Sequence, residues 1–192
     1  MIELLRARTG KQHQELERVL IPMIKDVHTP EAYVRLLQLF YGYYYPLEQH
    51  IAAHMDRSFP GGFDGRRKAR SILEDIVTIS GEPAKDTGSC QDIPEITDTA
   101  QALGAMYVLE GSTLGGQVIC QILMRNLPTP ALTKALTFFN GYGSDTQSYW
   151  DTFVHYLQGY HGSEAQQQRM LDAAADTFHK FKLWAVQQKG QQ

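Results

Sequence analysis

The chain has 192 residues, 43% of them apolar and 20% charged, with a formal net charge of −3. That length suits one domain with a sizeable core, so residues 1–192 are read as a single domain. Lysines and arginines are spread along the chain, which excludes the basic footprint of a nucleic-acid or anionic-membrane binder. Cys90 and Cys120 form neither a CxxC pair nor a disulfide framework. No apolar run approaches the roughly 20 residues of a membrane span. Charges interrupt "MIELLRARTGKQHQELERVL", where a signal peptide needs an apolar stretch. The expectation is a soluble cytoplasmic protein.

Helix-period patterns dominate and no sustained period-two alternation marks a strand, so the fold expected is all-α, several helices packed around one site. A first helix over 3–20 places Leu5, Thr9, His13, Leu16 and Leu20 on one face. A second over 31–56 is rich in Leu, Phe and Tyr, with a kink expected at Pro46, whose ring crowds the carbonyl of Gly42. The loop "SFPGGFDG" (58–65) ends in Asp64, read as the N-cap of a third helix through Ile79. A longer loop covers 80–94. One helix then spans about 97–126, followed by shorter helices at about 130–139 and 145–158. The last starts from Ser163, a capping residue, and runs to about Gln188.

The helix over 97–126 raises a question. Gly104, Gly111, Gly115 and Gly116 lie inside it, and each interior glycine costs about 1 kcal/mol relative to alanine. At 100° per residue, Gly104, Gly111 and Gly115 fall within about 40° of one another, with Val108 beside them. The result is a stripe nearly free of side chains. Packing against a neighbouring helix explains one or two such glycines; a flat ligand laid on the stripe explains their number better. Phosphate binding is a poor third, because "EGSTLGG" has no Walker lysine and no preceding strand.

His13 lies on an apolar helix face with Glu17 one turn later. That spacing lets a carboxylate reach the imidazole Nδ1–H, directly or through water, and leaves Nε2 as a neutral donor to a metal. Arg6, two turns earlier on the same side, is placed to meet an anionic ligand edge. His50 and His54 have the spacing of a metal pair but no HExxH accompanies them, which favours a solvated face. The sequence has no Glu-x-x-His for a di-iron bundle and no GxSxG nucleophile. A histidine on one helix and a glycine stripe on another suggest a planar metal complex between them, and haem fits in size and ligation. The stripe lacks the distal His or Arg of a peroxidase, so backbone groups, small hydroxyls and water would surround an oxygen ligand.

These residues resemble a known family. "LRARTGKQHQELE" (5–17) is similar to the proximal-helix signature of the haem oxygenases, and "LEGSTLGGQVI" (109–119) to their distal helix. The likeness is nearest to the bacterial branch associated with bacteriophytochromes, which shows runs like "FYGYYYPLE" and "FFNGYG…YW…F". The resemblance implies His13 as axial haem ligand, Glu17 as its supporting carboxylate and Arg6 on a haem propionate. It places Gly111, Gly115 and Gly116 over the distal face, where the spacing sets Val108 beside them, with Ser112, Gly111 and Gly115 handling the oxygen. The reaction implied is cleavage of haem to biliverdin, carbon monoxide and iron. Haem is then cofactor and substrate, with dioxygen and an external electron donor such as a ferredoxin or flavin reductase. A biliverdin-binding phytochrome is the further partner implied.

Many family members carry an aspartate where Ser112 stands. A hydroxyl donates and accepts but brings no charge, and should order a water network less firmly. No counterpart of a second propionate-binding arginine stands out: Asp151 and His155 occupy the corresponding stretch, with Arg169 and Lys182 as remaining cations. The alternative reading is a haem carrier of the same fold with little chemistry. A third is a helical enzyme acting on another flat molecule, such as a thiamin-like heterocycle.

Overall fold

The computed structural model describes residues 1–56, 58–84 and 88–190. In chain order the helices are α1 (Ile2–Lys25), α2 (Pro30–His54), α3 (Arg70–Ser80), α4 (Thr99–Leu114), α5 (Gly116–Asn126), α6 (Pro130–Lys134), α7 (Thr137–Asn140), α8 (Thr146–Gln158) and α9 (Glu164–Lys189). Single 3₁₀ turns stand at Phe63–Gly65 and Gly143–Asp145, and no strand occurs among the described residues. The chain is all-helical, as the periodicity predicts.

The first helix outruns its expected end. Pro22 lies inside α1, where its missing N–H frees the carbonyl of Arg18, an exposed residue that water can serve. The extra turn buries Ile24. α2 likewise continues through Pro46, and the Gly42 carbonyl that Pro46 cannot serve accepts the backbone N–H of Cys90 at 2.8 Å. A Cβ on Gly42 would stand 2.7 Å from the Trp184 ring, so the bare backbone admits both the indole and the 88–90 segment. The Trp184 indole N–H then donates to the Leu39 carbonyl.

Asp64 does not cap the third helix. It sits in the 3₁₀ turn, and α3 begins at Arg70 after Ala69, which offers no side-chain cap. Glu48 of α2 supplies the acceptor instead, taking the Ala69 N–H on both carboxylate oxygens at 2.8 and 3.0 Å. The segment read as one helix over 97–126 divides at Gly115 into α4 and α5. Asp98 caps α4 by accepting from the Gln101 N–H. The 130–139 segment also divides, into α6 and α7. Buried Asp75 receives the Thr137 and Phe138 N–H groups at the start of α7. Ser163 caps α9, as the sequence suggests, and the structure adds the reciprocal bond from Gln166 that completes a capping box.

α9 is the spine. Arg8 pairs with Asp172 and Glu15 with Lys182, which registers α1 along it. Asp98 pairs with Arg169, and a Cβ on Gly104 would run into the Met170 carbonyl and approach Ala174 N to 3.1 Å, which registers α4. Residue numbers rise together along all three helices. Phe40, Tyr43, Tyr44, Phe138 and Phe181 form an aromatic core beside them, with Tyr43 stacked on Phe181 at 4.6 Å. Tyr41 and Tyr45 stack on each other outside it, Tyr45 exposed.

Candidate functional site

The buried stripe of α1 runs through Leu5, Thr9, Leu16 and Leu20, and His13 is where it opens. Its side chain is 52% exposed, and its ring meets the edge of Phe178 on α9 at 5.2 Å between centroids. Glu17 lies one turn on, with its Oε1 3.6 Å from Nε2, beyond hydrogen-bond reach. In this orientation the nitrogen nearest the carboxylate is Nε2. Presenting Nε2 outward with Nδ1–H toward Glu17 requires the ring to turn. Arg6 is exposed and holds Glu3 at 3.0 Å, a surface pair that yields easily to another anion.

The four glycines separate into two kinds. Gly104 and Gly116 are buried, and a Cβ on either would strike backbone, Met170 of α9 and the Phe139 carbonyl of α7 respectively. Their missing side chains let helices close on each other, which corrects the reading of Gly104 as part of a ligand stripe and gives Gly116 a packing role. Gly111 and Gly115 differ. A Cβ on Gly111 would make ordinary contact with Trp150 at 3.7 Å, and one on Gly115 would meet only its own helix, at the Ser112 carbonyl. Val108 is buried on the same side. Leu114 at the end of α4 and Val118 in the first turn of α5 flank Gly115, and both are exposed, at 44% and 59%. The distal segment thus carries exposed apolar side chains on either side of a bare Gly115.

Register along α9 relates the two halves. Gly104 meets α9 at Met170–Ala174, and His13 meets it one turn further on, at Phe178. Because residue numbers rise together, His13 lies at the level reached by α4 beyond Gly104, toward Gly111. A planar complex that brings its own ring of nitrogens needs one axial ligand and one face without side chains. An exposed histidine, an apolar surface around the open Gly115 with Gly111 beside the Trp150 ring, and a releasable arginine fit that need. Among the described residues, no group of three or more His, Cys, Asp and Glu side chains gathers to hold a bare metal ion. The His54 Nδ1 is engaged with the His50 carbonyl at 3.0 Å, which argues against that pair as ligands.

Behind the distal surface lies a polar cluster that the sequence reading did not find. Buried Glu110 accepts from Arg66 Nη1 at 3.1 Å and from the Tyr142 hydroxyl at 2.9 Å. Burial pushes the Glu110 carboxyl above the usual range, and the Arg66 charge and Tyr142 bond pull it back. Arg67 Nη2 donates to Ser112 Oγ at 2.8 Å and to the Leu109 carbonyl at 3.0 Å. The Tyr44 hydroxyl also donates to Ser112 Oγ at 3.2 Å, while Ser112 donates to the Leu109 carbonyl at 2.7 Å. A hydroxyl has one proton and two lone pairs. All three are used, so Ser112 is a fixed joint of the cluster rather than a free organiser of water. The only sequence signal was the run Arg66-Arg67-Lys68, three adjacent cations in a chain whose charges are otherwise dispersed.

The remaining expected cations lie elsewhere. Arg169 and Lys182 are held by Asp98 and Glu15 and line a cavity of about 650 Å³ with Arg8, Lys11 and Gln12. At 100° per residue these α1 positions occupy the opposite flank from Arg6, His13 and Glu17. Asp151 accepts from Gln147 on the surface of α8, and His155 is exposed there.

Comparison with known proteins adds an independent observation. A sequence model of the family described as Heme oxygenase matches residues 1–64 and 69–187. A heme oxygenase of Xanthomonas campestris pv. campestris (strain 8004) is 26% identical over 145 residues, covering 76% of this chain and 78% of that protein.

Proposed function

The chain belongs to the haem oxygenase family, and from that premise we propose that it opens the haem ring to biliverdin, releasing carbon monoxide and iron. Haem, when bound, supplies the iron that activates dioxygen and is itself the ring that is cleaved. The protein's own part is binding and orientation. His13 would hold the iron from α1 once its ring turns Nε2 outward, and Glu17 would accept a hydrogen bond from Nδ1–H, which fixes that neutral tautomer. Gly115 would leave room for a flat ring, Gly111 would bring it close to the helix backbone beside Trp150, and Val108, Leu114 and Val118 would supply apolar contact. Arg6 leaves Glu3 for a propionate. Electrons come from a separate redox partner such as a ferredoxin or flavin reductase, and the biliverdin suits a chromophore-binding phytochrome.

The observation that carries this reading is the exposed His13 on an otherwise buried helix face. Replacing it tests the site: His13→Ala should lose the axial bond and nearly all turnover, and added imidazole should restore part of the haem spectrum. Unchanged biliverdin formation by that variant would place the iron ligand elsewhere. A second reading, a haem carrier with little chemistry, is favoured by the saturated Ser112 hydroxyl. A stable haem complex under oxygen and reductant would decide for it.

A further inference from the structure

The distal helix carries no charged side chain on its open face, yet the fold delivers one to it from 45 positions upstream. Arg67 stands in the loop between the 3₁₀ turn Phe63–Gly65 and α3 and reaches α4 as a fork. One arm, Nη2, bridges Ser112 Oγ and the Leu109 carbonyl; the other, Nη1, points to the Phe138 carbonyl at 3.4 Å. Its guanidinium lies over the Phe138 ring at 4.5 Å and the Tyr44 ring at 5.5 Å, and its backbone N–H donates to the Tyr142 hydroxyl. The carboxylate of the cluster, Glu110, is committed to Arg66 and Tyr142. A second buried carboxylate, Glu48, takes the Ala69 N–H and acts on Arg67 only through space, as Glu110 does. The Arg67 fork itself is spent on neutral acceptors, among them Ser112, the neighbour of Gly111.

We propose that Arg67 is a positioning residue of the oxygen-handling face: it fixes the turn that carries Gly111 through Ser112 Oγ and the Leu109 carbonyl, and holds a permanent positive charge beside it. The inference rests on the haem oxygenase reading of the site and adds to it a residue from outside both signature helices. A guanidinium cannot lose its proton and its planar fork spans two acceptors at once, which a lysine cannot reproduce. Fixed dipoles and charges aimed at a site of developing negative charge act without reorganisation during the reaction. The saturated Ser112 hydroxyl is the link through which Arg67 is held.

The test uses the full chain loaded with haem and reduced under carbon monoxide, because the carbon–oxygen stretching frequency falls when positive charge lies near the oxygen end. Arg67→Gln should move that band to higher frequency and lower turnover, with Arg67→Lys between it and the wild type. Ser112→Ala, which removes the link and keeps the charge, should broaden the band. Thermal unfolding of each variant reports separately on folding. If Arg67→Gln fails to fold, Arg67→Lys decides: a wild-type band with wild-type turnover overturns the proposal. So does a folded, haem-loaded Arg67→Gln with both unchanged. A wild-type chain that takes up no haem overturns the underlying site reading together with this one; a normal wild type with an indifferent Arg67 overturns this one alone.

Discussion

Gly104 lies inside α4 and Gly115 caps its end, and the two serve opposite purposes. Gly104 is absent of side chain because α9 backbone occupies the space, and Gly115 because nothing in the protein does. Gly104→Ala should therefore destabilise the fold by about 1–3 kcal/mol through overpacking. Gly115→Ala should leave unfolding unchanged or slightly improved, since alanine is the better helix former. Gly115→Phe should fold and fail to bind haem. Denaturant unfolding and haem titration of the three variants check the assignment, and a Gly115→Phe with unimpaired haem binding would remove the open face from the site. At His13, Glu17→Gln should weaken iron ligation on the order of tenfold, the usual effect of removing a supporting carboxylate.

At the scale of elements, the helix starts are held by acids from distant positions. Asp64 has the residue type and spacing of a cap, but the chain makes a further turn before α3 begins, and Glu48 of α2 meets the Ala69 N–H instead. Burial pushes the Glu48 carboxyl up to about 7 from 4.5, against the pull of the Ala69 N–H and Lys68. A carboxyl raised in the folded state contributes stability that is present below its unfolded pKa and lost as pH rises through the folded one. Wild-type stability should accordingly decline between about pH 4.5 and 7 from this group, and Glu48→Gln should flatten that decline. Equal slopes in denaturant unfolding at several pH values would show that Glu48 does not couple to folding. Glu110→Ala tests the other acid. It leaves Arg66, 3% exposed, without its partner and should cost about 3–5 kcal/mol, far more than removing a surface pair such as Glu3–Arg6.

For the whole molecule, legibility followed sequence distance. The cap at Ser163 and the apolar face of α1 that carries His13 are local patterns, and the structure keeps them; that His13 stands half-exposed there emerges only in the fold. The break at Gly115 was not legible, because a glycine that ends a helix and one that packs inside it look alike in a periodic pattern. Nor was the origin of the charge behind the distal helix. No arginine lies on that helix's open side, and Arg67 arrives only when the loop before α3 folds against α4 and α7. The two motifs that resemble the haem oxygenases are themselves local, and α9 brings them into common register.

The most direct test is an anaerobic titration of the protein with haem, followed by oxygen and a reductant, watched by absorbance. The structure and the family predict a one-to-one Soret band that decays as a biliverdin band grows in the red. A Soret band that persists unchanged, while another haem oxygenase turns over beside it, would contradict the oxygenase and leave a haem carrier.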